Sequence, residues 1–440
     1  MTEGKISNKI ILFALPIFLG NLFQQMYNVV DSWVVGNFVS ANALAAVSSS
    51  GSLIFLIVGF INGIFVGASV IISQYYGEKD SEKLSTAIHT TIAFGFIAGI
   101  LVTAIGMFLS PVLLRLMGTP ETVFPKSVLY FRLFFAGGIG MVMYNTCMGI
   151  FQAMGDSKRP LRYLIIASIV NVILDLFFVI VLKMGVAGVA LATVIAQLTS
   201  GVLAFINLTH TTGLHRVTLS KIGIDKPTLI KILKLGIPTG VQNSVIAFAN
   251  VIVQSNINSF GDVAMAGCGS YAKIEGFAFL PVTSFTMALT TFVGQNIGAK
   301  QFDRVKQGAK FGVITGVALA EIIGIVMWLF APVLIGFFND NPNVIHYGVL
   351  QLKTEGLFYC LLALSHCMAG ILRGAGKTTI PMIVMLVCWC LIRITYITIT
   401  VKLIPDIRVI FFAYPLTWSL SSISFVIYYF KANWLKPQTA

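Results

Sequence analysis

The sequence predicts an all-α polytopic membrane protein with about twelve transmembrane helices, arranged as two pseudo-symmetric six-helix bundles. Three observations lead to this fold class: the apolar composition, the spacing of the apolar runs, and an internal repeat. Of the 440 residues, 57% are hydrophobic and only 10% are charged, whereas soluble domains are about 25% charged. Twelve spans of about 20 residues would accommodate nearly all of these hydrophobic residues.

Twelve apolar runs are long enough to cross a bilayer, and they are numbered here as spans 1 to 12. The first run lacks a small-residue cleavage site, so we expect it to be retained as a span and not removed as a signal peptide. Several runs exceed the bilayer thickness, which predicts tilted helices. The predicted bounds are 9–38, 44–76, 86–114, 127–152, 161–183, 186–209, 229–260, 264–297, 308–337, 344–372, 379–402 and 408–430.

The distribution of Lys and Arg predicts that both termini are cytoplasmic. With the N-terminus inside, 20 of the 29 basic residues fall in inner segments and 5 in outer loops, as the positive-inside rule requires. The net charge of +13 is therefore explained by membrane topology. No basic stripe with interleaved aromatic residues predicts a nucleic-acid partner. The expected location is the cell (inner or plasma) membrane, with lipid as the surrounding partner.

The two halves of the sequence repeat each other at an offset of 222 or 221 residues. Because each half has an even number of spans, both halves enter the membrane from the same side, which is a transporter architecture. The repeat predicts an N-terminal lobe at 1–210, a cytoplasmic linker at 211–228 and a C-terminal lobe at 229–440. The matches are Pro16 and Asn28 with Pro238 and Asn250; Ala43 and Ala45 with Ala264 and Ala266; Gln74, Gly77 and Lys79 with Gln295, Gly298 and Lys300; and Gly149, Ile150, Gly155 and Pro160 with Gly370, Ile371, Gly376 and Pro381.

Polar residues inside three spans of the first half predict a coupling site. Ionisable groups within spans are costly and are functional candidates by default. Asp31 lies on span 1, Asn171 and Asp175 are one helical turn apart on span 5, and Thr193 lies on span 6. With the predicted orientation, Asp31, Asp175 and Thr193 lie in the outer half of the membrane. Two carboxylates, an amide and a hydroxyl suit a proton or a hard cation such as Na⁺; the alternative is that they only hold helices together.

The second half does not repeat this set, because Val253, Ile392 and Tyr396 stand at the corresponding positions. We therefore expect the buried acid pair in the first half alone, with no acid in the middle of span 10. The other polar residues of the spans are expected either to line a substrate cavity or to pack helices through hydrogen bonds. They are Gln24, Asn28, Asn250, Gln254 and Glu275, while the roles of Arg132, Lys273, Glu321 and Arg393 stay open.

Pro16 removes a backbone hydrogen bond within span 1 and is expected to kink it. The kink predicts either a hinge that bends when Asp31 changes charge, or a static bend.

The sequence contains no convincing enzyme motif. Residues Gly374 to Thr379 resemble a phosphate loop, but the full pattern requires a glycine where Ile371 stands. The six cysteines all lie in apolar runs, which is typical of reduced packing residues. We therefore expect neither an enzyme nor a cofactor, and no metal ion other than a coupling Na⁺.

On these residues the sequence resembles the multidrug and toxic compound extrusion (MATE) family. The resemblance covers the twelve spans, the parallel repeat, Gln-x-x-Gly after spans 2 and 8, and Gly-Asp-Ser-x-x-Pro after span 4. It is closest to the DinF-like branch, whose acid on span 1, Asn-x-x-x-Asp pair on span 5, hydroxyl on span 6 and bending proline correspond to Asp31, Asn171, Asp175, Thr193 and Pro16. Tyr130 is similar to a tyrosine near that site and joins the predicted substrate cavity.

The resemblance implies antiport, in which inward H⁺ or Na⁺ drives organic, often cationic, compounds outward through a monomeric transporter. Another branch of the family places acids on spans 7 and 10, which this sequence is not expected to share. A lipid-linked oligosaccharide or lipid flippase of a related fold is the main alternative. That alternative favours many basic residues in the spans and additional spans. Only four of the 29 Lys or Arg are left for the span interiors once those near the span ends are assigned to the inner segments and outer loops. A membrane enzyme or scaffold is the remaining alternative.

Overall fold

The computed structural model describes residues 1–39, 41–117 and 119–435, without the side chains of 41–46 and 48–53. Eleven helices in this part of the chain are long and apolar enough to cross a membrane, and a bent pair completes a twelfth span. The predicted fold class is therefore confirmed. In order, the spans are Ile6–Phe38, Ala41–Glu78, Ser81–Leu116, Phe124–Ala136 with Gly138–Ala153, Lys158–Leu176 with Phe177–Val181, Val186–His210, Lys226–Asn258, Asp262–Gly298, Phe302–Leu329 with Ala331–Gly336, Pro342–Glu355 with Gly356–Phe358 and Tyr359–Gly374, Thr379–Met385 with Leu386–Ile392 and Arg393–Leu403, and Arg408–Lys431.

Several spans depart from a regular α-helix. The two helices of span 4 meet at an angle of 49°. Span 5 ends in a π-helical segment, Phe177–Val181, and span 11 contains another, Leu386–Ile392. Span 10 is interrupted by a 3₁₀ turn, Gly356–Phe358. Because π-helical insertions are rare and are often found at functional sites, spans 5 and 11 are candidates for carrying functional residues.

The backbone repeats the same helix-ending turns in both halves. Lys79 and Lys300 have positive φ values of 58° and 57°, and Gly155 and Gly376 have φ values of 83° and 76°. Positive φ is uncommon for a non-glycine residue, so the agreement at Lys79 and Lys300 supports the internal repeat. Gly376 belongs to the segment that resembles a phosphate loop, and that segment is the turn between spans 10 and 11.

The chain divides into two compact units. The first unit consists of residues 15–240, and the second consists of residues 1–14 and 241–440. Spans 1 and 7 each contribute to both units, and each passes from one to the other within two residues of a proline, Pro16 or Pro238. The lobe boundaries at 210 and 229 stay a prediction.

A close helix crossing explains why the start of span 7 belongs to the first unit. Gly63 and Gly67 of span 2 face Gly240 and Gly236 of span 7, and a Cβ atom on either glycine of span 2 would collide with the opposing backbone. Pairs of glycines four residues apart let membrane helices approach closely. Van der Waals packing then holds the helices together, because lipid provides no hydrophobic driving force between them. The apolar core of this unit includes Val70, Ile72, Leu84, Ile88, Ile92, Cys147, Ile150, Phe151, Phe131 and Phe135.

The connection after span 6 is fastened to the first unit. The Val217 amide donates a hydrogen bond to the Leu208 carbonyl at 2.8 Å, and the Thr218 amide donates to His89 Nε2 at 2.9 Å. Further along, the Asp225 amide donates to a threonine hydroxyl of span 3 at 3.2 Å. The second unit has its own core, formed by Val253, Ile257, Ala264, Cys268, Ile397, Ile407, Ile410, Phe411 and Ala413.

Candidate functional site

The side chains predicted as a coupling site lie inside the first unit, on spans 1, 5 and 6. The Asp31 carboxyl interacts with the Asp175 carboxyl and with the Thr193 hydroxyl. Asn171 lies one helical turn before Asp175, on the same face of span 5. All four side chains are buried, with exposed fractions of 8%, 1%, 0% and 6% for Asp31, Asn171, Asp175 and Thr193. The structure therefore brings the two acids and the hydroxyl together, as the common depth of these residues indicated.

The polar atoms of this cluster are largely without hydrogen-bond partners. Thirteen buried side-chain nitrogen or oxygen atoms lack a partner in the part of the chain that the structure describes, and five of them are here. They are Oδ1 of Asp31, both amide atoms of Asn171 and both carboxylate oxygens of Asp175. Leaving a buried polar group unpaired costs about 1–3 kcal/mol. Helix packing alone gives no reason to concentrate that cost at one point.

The two carboxylates also lack a basic partner. Among the described residues, the four ion pairs within 4.0 Å all involve side chains at least 30% exposed, and none includes Asp31 or Asp175. Two uncompensated charges in an apolar interior are strongly unfavourable. The cluster is therefore suited to hold a proton or an external cation. The Thr193 hydroxyl donates to the Val189 carbonyl at 3.0 Å, so its oxygen can still act as a ligand.

An apolar cap closes the cluster at the end where spans 1 and 5 finish and span 6 begins. Tyr130 of span 4 belongs to this cap and interacts electrostatically with both Asp31 and Asp175. This places Tyr130 beside the acids, where the resemblance had indicated a tyrosine. The other buried members of the cap are Val34, Val35, Val179, Val186, Val189 and Ala190.

The π-helical segment of span 5 begins two residues after Asp175. A π-helical segment changes the angular position of the residues that follow it and replaces the regular hydrogen bonds of the helix. This feature has no signal in the sequence, because the segment Phe177–Val181 is uniformly apolar.

The amide side chains predicted for a substrate cavity are exposed. Gln24 and Asn28 are exposed on span 1, and Asn250 and Gln254 are exposed on span 7. Gln254 Nε2 donates to Asn258 Oδ1 at 2.8 Å, within the same helix. Polar side chains on an apolar span are unfavourable against lipid tails, so their exposure agrees with contact to water. Their role in substrate binding stays a prediction.

Glu275 is only partly buried and lies in the interior of the second unit. It lines a cavity of about 10 Å³ together with Phe279, Tyr359 and neighbouring apolar residues. That volume is about the size needed for one water molecule. An organic substrate would not fit in this cavity.

Glu355 is the functional candidate that the sequence reasoning missed. It lies on span 10, thirteen residues after the start of the helix at Pro342, and is 0% exposed. The expectation of no acid in the middle of span 10 is therefore wrong, and the second half contains a buried acid of its own. The signal was present, because a lone acid inside a long apolar run is itself a candidate. The internal repeat gives no sign of it, because Phe134 stands at the corresponding position of the first half.

Glu355 is held by neutral donors. Tyr271 Oη donates to Glu355 Oε2 and Gln351 Nε2 donates to Glu355 Oε1, both at 2.9 Å. The Tyr359 hydroxyl lies 3.0 Å from the Tyr271 hydroxyl. Both oxygens of this carboxyl group thus have partners, unlike those of Asp175.

Three residues whose roles the sequence left open have identifiable contacts. Each contact joins the residue to a different helix or to the segment after one, which favours a role in helix packing over one in coupling. Arg132 Nε donates to the Met107 carbonyl and to Ser110 Oγ, both at 3.2 Å; the Lys273 ammonium lies 5.4 Å from the centre of the Phe338 ring; and Glu321 Oε2 accepts the Cys360 amide at 3.0 Å.

One family model, MatE, matches the chain twice, at residues 16–177 and 238–399. The two matches start and end 222 residues apart, as the internal repeat predicted. The probable multidrug resistance protein YpnP of Bacillus subtilis is 30% identical over 399 residues, covering 89% of this chain and 88% of the relative. The probable multidrug resistance protein NorM of Thermotoga maritima is 26% identical over 394 residues, covering 86% and 82%.

Solved structures agree with the fold. A MOP superfamily transporter from Pyrococcus furiosus superposes with a TM-score of 0.92 at 20% identity, covering 98% of this chain and 97% of the other. A MATE family transporter in an outward-facing conformation gives the same TM-score at 21% identity. At these identities the likeness establishes the fold and leaves the chemistry to the residues of this chain.

Proposed function

This chain belongs to the MatE family of multidrug transporters, and from this membership we propose that it is a secondary active efflux transporter that antiports H⁺ or Na⁺ against organic, often cationic, compounds. Its relatives are named as multidrug resistance proteins. The proposed coupling residues are Asp31, Asn171, Asp175 and Thr193. The observation that carries the proposal is the cluster of buried, unpartnered oxygen atoms on spans 1 and 5.

The coupling chemistry follows from the cost of buried charge. When Asp31 and Asp175 are both charged and unpaired, the cluster is strongly unfavourable. A proton shared by the carboxyl groups, or a Na⁺ ion coordinated by them and by the Asn171 and Thr193 oxygens, removes much of this cost. Each ion state therefore favours a different arrangement of spans 1, 5 and 6, which is the differential interaction that a coupled transporter needs.

The available driving force is sufficient. One charge moved through about 100 mV supplies about 2.3 kcal/mol, and one pH unit supplies about 1.4 kcal/mol per proton. Because about 1.4 kcal/mol corresponds to a tenfold concentration ratio, one proton supports a gradient of a few hundredfold for a neutral substrate. For a monovalent cation the outward charge cancels that of the proton, so one proton and one pH unit support a gradient of about tenfold.

Pro16 is proposed as the hinge of span 1. It lies two residues past Ala14, where the helix passes from the second compact unit to the first. Proline removes one backbone hydrogen bond of the helix, so bending there disrupts fewer contacts than elsewhere. Pro238 stands at the equivalent place on span 7, which supports a bending point in each of these two spans.

The substrate-binding side chains are proposed to be Gln24, Asn28 and Tyr130 on the first unit and Asn250 and Gln254 on the second. The exposed amides can bind organic cations with little shape requirement, and the ring of Tyr130, which is buried in the apolar cap, adds an aromatic face beside the acids. The proposed membrane is the cell membrane, with both termini cytoplasmic, because the excess of Lys and Arg lies on that side.

Reconstituted liposomes test the proposal. A cationic dye is loaded, a pH or Na⁺ gradient is imposed, and gradient-driven dye movement is measured. We expect Asp31→Asn and Asp175→Asn each to lower coupled transport by about tenfold or more, because a proton or cation position is lost. Asp340→Asn is the matched control, since Asp340 is exposed in the loop before span 10. Full gradient-driven transport by both span variants would refute the coupling site, and dye movement that ignores both gradients would refute antiport.

A further inference from the structure

The second unit contains a cluster of two acids and one base, of which one acid and the base are fully buried. Glu275 lies on span 8, Glu355 on span 10 and Arg393 on span 11. Glu355 is 0% exposed and Arg393 is 2% exposed. A buried arginine inside a membrane span is costly and requires a compensating environment. The role of Arg393 is not explained by the proposed coupling site, which lies in the first unit.

Arg393 is supported by neutral and aromatic groups. Its Nε and Nη2 atoms donate to Thr417 Oγ1 at 3.2 and 2.8 Å. Its guanidinium lies 4.3 Å from the centre of the Tyr414 ring and 5.5 Å from that of the Trp389 ring. Aromatic faces stabilise a desolvated cation, but none of these groups carries a negative charge. The hydroxyl and the two rings therefore position the guanidinium without neutralising it.

The acids that act on the charge of Arg393 are the two glutamates, at more than direct contact distance. Within the described chain, no carboxylate lies within 4.0 Å of a basic group of Arg393. Both Glu275 and Glu355 nevertheless interact with it electrostatically. In an apolar interior such attraction persists beyond contact distance. In the described part of the chain, neither carboxylate of the first-unit cluster interacts with a basic side chain.

Space for an external ion exists beside Glu275. Glu275 and Tyr359 line the cavity of about 10 Å³, which has the size of one water molecule and therefore of one small ion. Oxygen atoms of a carboxylate and a phenol are suitable ligands for a hard cation. What opposes such an ion is the positive charge of Arg393.

We propose that Arg393 is a specificity-determining residue: its guanidinium acts as a tethered cation for the Glu275 and Glu355 pair and excludes an external alkali cation such as Na⁺ from the second unit. With Arg393 present, one proton on the glutamate pair makes the cluster neutral. Without it, the pair requires a second positive charge. The π-helical segment Leu386–Ile392 directly before Arg393 gives this part of span 11 the altered backbone often found at functional residues.

The test measures Na⁺ binding through protein stability and does not depend on transport. The parent protein carries Asp31→Asn and Asp175→Asn, so that the first-unit carboxylates contribute no signal. Thermal unfolding in detergent is followed at about pH 8.5, with Na⁺ exchanged for choline at constant ionic strength to hold screening fixed. Arg393→Gln is compared with Arg393→Lys, which keeps the positive charge.

We expect the unfolding temperature of Arg393→Gln to rise by about 2–4 °C when choline is replaced by about 100 mM Na⁺. The reason is that a ligand that binds only the folded state stabilises it. The parent and Arg393→Lys should shift by less than about 1 °C under the same conditions. Adding Glu355→Gln to Arg393→Gln should abolish the shift. The proposal would be overturned if the unfolding temperature of Arg393→Gln did not depend on Na⁺, or if that of the parent rose by the same amount.

A second comparison covers the case in which Arg393→Gln does not fold. Removing one acid of the pair should then restore folding, because the cluster can again become neutral with one proton. Glu275→Gln should therefore rescue Arg393→Gln, as judged by monodisperse elution in detergent. Glu321→Gln is the matched control, since Glu321 lies on span 9 and accepts the Cys360 amide. Rescue by both substitutions, or by neither, would contradict the proposed role of Arg393.

Discussion

Asp175 in the first half and Glu355 in the second half are both fully buried carboxyl groups on membrane-crossing helices. Both oxygens of Asp175 lack a hydrogen-bond partner among the described residues. Both oxygens of Glu355 accept hydrogen bonds, from Tyr271 and Gln351. Arg393 interacts electrostatically with the second acid, whereas among the described residues no basic side chain interacts in this way with the first.

The difference shows that the two halves share a backbone arrangement, while the polar and ionisable residues buried inside them differ. The helix-ending turns at Lys79 and Lys300 have the same backbone conformation, yet the buried acids stand at unrelated positions. An acid with unsatisfied oxygens gains much from a proton or cation, so its state is easily changed by ions. An acid with satisfied oxygens gains less, and it specifies one packing arrangement.

Helix packing gives the first and largest test of this comparison. In the first unit Gly67 lies against the backbone of Gly236, whereas a Cβ atom added to Gly269 in the second unit would meet no other atom within 4 Å. We expect Gly67→Ala to lower the free energy of unfolding by about 3 kcal/mol, because spans 2 and 7 must separate. Gly269→Ala should be neutral or slightly stabilising, since alanine favours a helix by about 1 kcal/mol.

Thermal unfolding of both purified variants in detergent measures this difference. The two substitutions add the same methyl group to a helical glycine, so any general effect of the change cancels. Equal unfolding temperatures for Gly67→Ala and Gly269→Ala would show that the close crossing of spans 2 and 7 contributes no stability.

The buried tyrosines provide the second test. Tyr271 Oη in the second half donates to Glu355, and Tyr144 Oη in the first half is buried without a partner among the described residues. We expect Tyr271→Phe to cost about 1–3 kcal/mol, because the carboxyl group loses a donor. Tyr144→Phe should be neutral or stabilising, because the removed hydroxyl makes no bond.

Urea or thermal unfolding of the two variants, which remove the same single atom, provides the measurement. A larger loss for Tyr144→Phe than for Tyr271→Phe would reverse the comparison, since the first half would then contain the satisfied hydroxyl.

Most of the fold could be predicted from the sequence, because apolar runs, basic residues and repeated turns are all visible in it. The acid Asp31, the acid Asp175 and Thr193 were predicted to lie together from their depth, and the structure places them in one cluster. The bend within span 4 and the π-helical segments could not be predicted. They arise from packing between helices and leave no periodic signal in a uniformly apolar run.

The second cluster was missed for a different physical reason. A repeat comparison detects residues that recur, and Glu355 and Arg393 have no acidic or basic counterparts in the first half. Their neighbours Tyr271, Tyr359 and Thr417 come from spans 8, 10 and 12, so only the packed structure shows that these groups meet. Sequence spacing predicts contacts along one helix and says little about contacts between helices.

The connection between the halves provides the test with the smallest expected effect. His215 in this segment accepts a hydrogen bond at Nε2 from Arg159 Nη1 at 3.3 Å. Burial, and then the positive charge of Arg159, lower the pKa of His215 below its ordinary value, although Asp156 opposes the change. The neutral form of the His215 ring is therefore favoured when the connection is hydrogen-bonded to the first unit. Its contribution to stability is full above the ordinary histidine pKa of about 6.5 and decreases as the pH falls below it.

Hydrogen exchange of residues 211–217 measures this effect as a protection factor, which corrects for the pH dependence of intrinsic exchange. We expect protection to fall by at least about twofold between about pH 7.5 and about pH 5.5. His215→Gln should remove most of this dependence, since the glutamine amide does not titrate. His210→Gln is the matched control, because His210 is exposed at the end of span 6 and bonds only to local groups. A pH response that survives His215→Gln but disappears in His210→Gln would contradict this prediction, because the titrating group would then be His210 at the end of span 6.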